Sequence, residues 1–503
     1  MTLLVTAFQV LAKAIGQVCK PRTFVPLAVL VAMLLTGCVV GPDFKKPPAP
    51  QVDRYTATTL PTTTESTNVA GGNTQRFVNG MDIPREWWAM FHSCQLNTLI
   101  ERSLKNNPNL KAAQSALAVA NENVLAQKGL YYPNVSAGFS GARQHTSNTI
   151  APVPDNNSFQ FSLFTPQVSV SYTPDVFGLN RRTVESLQAQ ADAARFEVAA
   201  TDITLTSNVV AAAVQEASLR DQIAATRQLI TINNDMLNIL KAQFAKGYVA
   251  RLDVAAQEAQ LAQVVATLPP LVKQLAQQRD LLAVLSGDFA SQGPAEKFEL
   301  SDLQLPGDLP VSLPSQLVAQ RPDVLQAQEN LHAASAEIGV AVANRLPNVT
   351  LTADAGYMAL ALGEAFASRN EFWTLAGSVA QPIFDGGALV HKELAARAAF
   401  AQAEQQYRAT VQAAFQNVAD TLNALDQDAA GLKAASASKD AAQITLDLSR
   451  KQWQTGYTDY LVLLNAEQAY QQAVIILIQA QTNRYADTAA LFQALGGGWW
   501  NGQ

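Results

Sequence analysis

Two periodicities share the chain. Val135, Ala137 and Phe139 alternate with Ser136, Gly138 and Ser140, and Val168, Val170 and Tyr172 alternate with Ser169, Ser171 and Thr173. Later, Val349, Leu351 and Ala353 alternate with Thr350, Thr352 and Asp354, while Trp373, Leu375 and Val379 share one face of a further stretch. A period of two predicts β-strands with one apolar and one polar face. Phe159, Phe161 and Leu163 have the opposite parity to Val168, Val170 and Tyr172, which predicts a β-bulge near Phe164 to Pro166. The remaining stretches are rich in Ala, Gln and Leu and predict helices, with no proline from Asp175 to Leu268 or after Pro382. Leu179 to Lys246 as a single helix reaches roughly 100 Å at 1.5 Å per residue, too long for one compact globule. Such a helix needs partners alongside it. Gly247 and Gly456 stand where the two long helices end, suited to left-handed caps, after which the chain turns back into a second helix. Asp426, Gly431 and two serines between Leu425 and Lys439 predict an interruption midway along the second long helix.

The patterns occur twice. Asn107-Pro108-Asn109-Leu110 is echoed by Arg321-Pro322-Asp323-Val324, and Tyr132-Pro133-Asn134-Val135-Ser136 by Leu346-Pro347-Asn348-Val349-Thr350. Pro174-Asp175-Val176-Phe177-Gly178 corresponds to Pro382-Ile383-Phe384-Asp385-Gly386, and Lys246-Gly247-Tyr248 to Thr455-Gly456-Tyr457. The order is kept at a spacing of about 210 residues, the mark of an internal duplication. Residues 83–290 then form a first repeat of helix, two strands (about 132–173), long helix, tip near 247 and return helix. Residues 319–496 form the second, with strands at about 347–383 and a tip near 456. Residues 38–82, rich in Pro and Thr, read as an extended tether, 291–318 as a Pro-rich connector, and 497–503 as a tail.

Targeting changes this picture. Residues 1–37 read as a signal peptide: Lys13, Lys20 and Arg22 precede an apolar run from Phe24 to Leu35 that is too short to span a bilayer. Leu35-Thr36-Gly37-Cys38 follows and resembles a bacterial lipoprotein signal, with Cys38 as the acylated mature N-terminus. Val39 stands where a lipoprotein retained in the inner membrane usually carries Asp, which favours outer-membrane delivery. Of three cysteines, Cys94 alone remains as a mature thiol, so no internal disulfide forms. After the signal no run of about 18 apolar residues remains, so a membrane crossing requires a closed β-barrel. The formal charge of −6 becomes more negative once the basic leader is removed, which argues against nucleic-acid binding. His92, His145, His332 and His391 are scattered without metal-site or triad spacing, and no nucleophile elbow or phosphate loop occurs. Cys94 beside His92 is the nearest approach to a thiol enzyme, and it is a chance pairing.

Taken together, the motifs resemble the outer-membrane factors of tripartite efflux systems, the TolC/OprM group, and within it the NodT-type lipoproteins. The resemblance rests on Gly37-Cys38-Val39-Val40-Gly41-Pro42-Asp43-Phe44, on Trp87-Trp88-Ala89-Met90-Phe91 with Leu96, Leu99 and Ile100, and on Arg321-Pro322-Asp323-Val324 with Leu346-Pro347-Asn348-Val349. Gln381-Pro382-Ile383-Phe384-Asp385-Gly386-Gly387 and Ala494-Leu495-Gly496-Gly497-Gly498-Trp499 extend it over the whole mature chain. It implies a mixed α and transmembrane-β fold: a homotrimer whose four strands per chain close a 12-stranded barrel, continuous with a periplasmic α-helical barrel. The implied protein is a passive conduit with no cofactor beyond lipid on Cys38. Its partners are outer-membrane lipid, a periplasmic adaptor and an inner-membrane pump. In relatives, carboxylates just past the second tip constrict the pore; aligned on Gly456, those positions are Val462 and Asn465, so this sequence departs from the acidic-ring pattern there, and Asn465 can form an uncharged interchain hydrogen-bond ring instead. Asp459, one turn nearer the tip, can supply that charge or be a solvated tip residue. Asp253 matches a closing latch, with Arg251 as a candidate partner or an ordinary surface charge. Tyr248, Val249 and Tyr457, beside Gly247 and Gly456, read as adaptor contacts or as packing between helices. A type I secretion exporter of proteins and an acylated coiled-coil scaffold are the competing functions; the scaffold leaves the paired strands unexplained.

Overall fold

The computed structural model describes residues 39–145 and 160–502. The signal segment, Cys38, Phe159 and Gln503 lie outside the described residues. In chain order the elements are β1 (Arg76–Asn79), a 3₁₀ turn (Trp87–Phe91), α1 (Cys94–Asn106), α2 (Pro108–Gly129), β2 (Asn134–His145), β3 (Gln160–Tyr172), α3 (Leu179–Ala245) and α4 (Arg251–Leu285). Then come β4 (Asp308–Val311), α5 (Pro314–Gln320), α6 (Pro322–Ala343), β5 (Asn348–Tyr357), β6 (Glu371–Ala380), α7 (Ala388–Gln454) and α8 (Tyr460–Ala494). The duplication is visible in lengths: α3 and α7 each have 67 residues, α4 and α8 each have 35, and α2 and α6 each have 22. The chain divides into two compact units.

Among the described residues, the first unit comprises 39–46, 118–145, 160–192 and 329–405. Its centre is an antiparallel sheet in the order β2-β3-β5-β6. Directly opposed residues share a face, so the register sorts the side chains. Val135, Ala137 and Phe139 stand opposite Val170, Val168 and Pro166; Val170 and Val168 face Ala353 and Ala355, which face Leu375 and Trp373. That face is apolar and exposed, with Val135, Phe139, Trp373, Leu375 and Val379 all open. The other face carries Ser136, Ser140, Ser169, Ser171, Thr350, Thr352, Asp354, Thr374 and Ser378, and Ser169 Oγ donates to Asp354 Oδ1 at 2.5 Å.

The expected bulge near Phe164 to Pro166 is absent. The β2–β3 register runs unbroken from Asn134↔Ser171 to His145↔Gln160. Phe164 continues the apolar face and stacks on Phe139 with ring centroids 6.4 Å apart, while Phe161 and Leu163 stand on the otherwise polar face. The alternation ends there rather than shifting. The irregularity lies instead on the β5 side: pairing stops at Gln167↔Gly356 and resumes only as the bridge Phe164↔Ala359, because Pro166 has no N–H to donate.

The same unit holds the start of the expected tether. Arg182, almost wholly buried, donates to the Val40 carbonyl at 3.0 Å and to Asp43 Oδ1 at 2.9 Å. Phe44 stacks on His332 at 4.4 Å.

The second unit, Pro47–Leu117, Ala193–Gln328 and Gln406–Gln503, is built on helices. Three expectations of loose structure are corrected here. The rest of the tether is packed: β1 pairs in parallel with β4, which lies within the expected connector. Arg484 on α8, fully buried, reaches Thr64 Oγ1 at 2.8 Å and the Leu425 carbonyl at 2.9 Å. The tail is packed too. Gly496, Gly497 and Gly498 all have positive φ, and a Cβ on Gly498 would come within 2.4 Å of the Ile83 carbonyl oxygen. Trp499 then donates to the Gln320 carbonyl at 2.7 Å. Finally, α7 runs unbroken through Leu425–Lys439. Its buried stripe of Val418, Leu422, Leu425, Ala429, Leu432 and Ala435 keeps helical spacing across that stretch, and burial outweighs the roughly 1 kcal/mol penalty of Gly431.

Against the expectation that no helix could cross a membrane, α8 is long and apolar enough to do so by length and composition. Its buried Arg484 and the stacking of Phe492 on Trp87 at 5.2 Å tie it to neighbouring segments.

Candidate functional site: the paired hairpin tips

The long helices end alike. Gly247 and Gly456 have φ of 76° and 74°. Tyr248 N donates to Gln243 O at 3.0 Å and Gly247 N to Phe244 O at 2.9 Å; Tyr457 N donates to Gln452 O at 2.9 Å and Gly456 N to Trp453 O at 3.0 Å. Both ends are Schellman caps, which satisfy the last helix carbonyls and need a residue free to adopt positive φ.

The return helices begin with complementary halves of one device. At the second tip Asp459 is the N-cap, and its Oδ1 accepts from Val462 N at 3.1 Å. At the first tip the N-cap position is Ala250, and Asp253, three residues on, accepts from Ala250 N at 3.0 Å. A full capping box uses both acceptors; each tip keeps one. Asp253 and Asp459 therefore each hold a backbone N–H of their own helix. Arg251 is not brought to Asp253. It lies 3.7 Å from Glu258, which also takes Lys241 at 3.2 Å. Val462 and Asn465 are exposed on α8. Tyr248 and Tyr457 are open to solvent, joined by Leu252 and Leu461, whereas Val249 packs inward against the core beneath the tips.

That core binds the two hairpins together. Met236, Leu237 and Leu240 of α3, Val254 of α4, Leu446 of α7 and Tyr460, Leu463 and Leu464 of α8 form one buried cluster. A polar chain threads it: the Tyr460 hydroxyl donates to Gln257 Oε1, and Gln257 Nε2 donates to the Asn233 carbonyl at 2.8 Å. Burial pushes the Tyr460 phenol well above its ordinary value. Glu467 is 5% exposed, and neither of its carboxylate oxygens has a hydrogen-bond partner among the described residues. Burial pushes its carboxyl up to about 7, opposed by Arg450 at 3.9 Å. Sequence reasoning missed Glu467, Arg450, Tyr460 and Gln257. The duplication carried the signal, since Arg450 and Glu467 stand one repeat on from Lys241 and Glu258.

Among the described residues no group of three or more His, Cys, Asp or Glu is placed to hold a metal ion. The tips carry an exposed apolar rim, and the sheet has one open apolar face.

An open four-stranded sheet with one apolar face, joined to paired long helical hairpins, defines a subunit of an outer-membrane channel. The chain belongs to the outer membrane efflux protein family, whose model matches residues 99–288 and 313–497. It is 27% identical over 421 residues to the pyoverdine export outer membrane protein OpmQ of Pseudomonas aeruginosa, covering 82% of this chain and 88% of OpmQ. It is also 27% identical over 492 residues to the toluene efflux pump outer membrane protein TtgC of Pseudomonas putida, covering 95% and 96% of the two chains. The solved outer-membrane channel OprN has the same fold, with a TM-score of 0.82 at 23% identity over 92% of this chain and all of that one.

Proposed function

We propose that this protein is the outer-membrane conduit of a tripartite efflux system, a passive channel that catalyses no reaction. The observation that carries the reading is the open sheet. Four strands cannot close a barrel, and lipid cannot satisfy the unpaired edges of β2 and β6. Three copies supply twelve strands, place the apolar face toward lipid and the Ser- and Thr-rich face toward a shared lumen. Lipid on Cys38 anchors each subunit, and a periplasmic adaptor and an inner-membrane pump complete the assembly. The names of OpmQ and TtgC support small organic molecules as cargo over secreted proteins.

The tips are the gate in this reading, with the narrowest point between Gly456 and Asn465. Asp253 and Asp459 each cap their own return helix with one oxygen; in this reading the other oxygen makes an interchain contact, each worth about 0.5–1.5 kcal/mol and repeated by threefold symmetry. The sum is small enough for adaptor binding to overcome, provided the adaptor favours the open state. Single-channel recording in planar bilayers tests this: Asp253→Ala with Asp459→Ala raises conductance, and Asn465→Asp increases cation selectivity and block by multivalent cations. A double variant that conducts like wild type, with Asn465→Asp changing neither property, places the gate elsewhere. Mass spectrometry of the mature protein, expected to begin at an acylated Cys38, tests the anchor.

A further inference from the structure

The two tips carry the same ion pair in two environments. In the first repeat Lys241 and Glu258 lie 3.2 Å apart with Arg251 as a second cation, and all three are substantially exposed. In the second repeat Arg450 and Glu467 occupy the matching positions, but Tyr460, a neutral side chain buried in the shared core, replaces Arg251. Glu467 is buried, 3.9 Å from Arg450, with both oxygens unsatisfied among the described residues. A lone buried carboxylate is tolerated when protonated and costly when ionised. The titratable groups around it are few. Arg450 approaches from α7 and Tyr460 from its own helix, while Asp253 of α4 acts on Tyr460. The nearby side chains of α3 in this core, Asn233, Met236, Leu237 and Leu240, are neutral, as is Gln257 of α4.

We propose that Glu467 is a proton-controlled positioning residue for the second tip: protonated, it lets the α7–α8 hairpin pack; ionised, it loosens it. The first tip, with its exposed and doubly paired Glu258, has no such control. This rests on the tips being the gate only for its effect on conduction, and the loosening is measurable by itself.

The sign follows from linkage. The packed tip holds its proton up to about 7, and an opened tip releases it near the ordinary value of 4.5. Packing is therefore fully favoured in acid, weakens as pH climbs from 4.5, and levels off above about 7. Between pH 6 and pH 8 the opening equilibrium grows about tenfold.

Hydrogen exchange of peptides spanning residues 445–470 in the full-length protein, corrected for intrinsic rates, should show that tenfold rise in wild type. Glu467→Gln should abolish the rise and remain protected at pH 8, whereas Glu258→Gln should leave it intact. Arg450→Gln, which removes the cation, should move the transition to higher pH. A Glu467→Gln protein that keeps the wild-type pH dependence overturns the proposal, as does an Arg450→Gln profile that does not move. Bilayer recordings of the same variants separate the two readings. Exchange that titrates while conductance does not establishes the proton control and refutes the gate.

Discussion

The two hairpin tips share a backbone and differ in chemistry. Gly247 and Gly456 make the same pair of Schellman hydrogen bonds, yet beyond them hardly any polar position is used alike. Ala250 stands where the second tip has the N-cap Asp459, Asp253 where it has Val462, and Arg251 where it has Tyr460. Duplication has kept the glycines that dictate φ and a part of the shared core, with Leu237 matching Leu446 and Val254 matching Leu463, because both hairpins need them to turn and pack. The polar positions were free to diverge once each tip retained one acceptor to cap its return helix. One tip therefore holds its charges in water and the other buries one.

Four perturbations order that comparison by size. The largest acts on what the tips share: Leu240→Ala or Leu463→Ala opens a cavity in a fully buried position of the common core and should cost about 2–5 kcal/mol. Limited proteolysis should then find both hairpins, not one, susceptible. Next, Gly247→Ala and Gly456→Ala force a Cβ into a left-handed conformation with no neighbour within 4 Å to clash with, so each should cost about 1–2 kcal/mol and by similar amounts. Unequal losses in hydrogen exchange at the two tips would break the claim of backbone equivalence. Third, Asp459→Ala removes an N-cap acceptor and should cost about 1 kcal/mol, read as faster exchange confined to the start of α8. Smallest is Glu258→Gln. Its ion pairs are exposed and worth at most about 1 kcal/mol, so exchange around residue 258 should change little and become salt-insensitive.

Much of this was legible along the chain. Periodicity and the absence of proline placed all four strands of the sheet and both long helices, and glycine marked both tips. What stayed illegible depended on partners distant in sequence. Nothing near Thr64 or Gln75 announces that Arg484 and Thr488 will bury them, so a Pro- and Thr-rich segment read as a free tether. Gly431 and its polar neighbours look like a break only when the stripe from Val418 to Ala435 is ignored. Phe161 and Leu163 suggested a bulge because hydrophobicity was equated with one face, and Phe164 shows that the strand is apolar on both faces there. At the tips the acids were found but not the caps they make. Asp253 and Asp459 cap helices, and the buried carboxylate, Glu467, lay hidden behind an ordinary Ala-Glu-Gln sequence.

The open edges of the sheet have a kinetic consequence. β2 and β6 each present a row of backbone groups that a bilayer interior leaves unsatisfied, so a lone subunit has no stable residence there. If three copies close one barrel, as proposed, entry into lipid coincides with meeting other copies, which makes insertion a cooperative event of high reaction order in subunit concentration. Halving the supply of newly exported chains should slow the appearance of inserted channels by much more than half. The dwell time of the unassembled chain in the periplasm, where an exposed strand edge invites wrong partners, then becomes the quantity the cell has to manage.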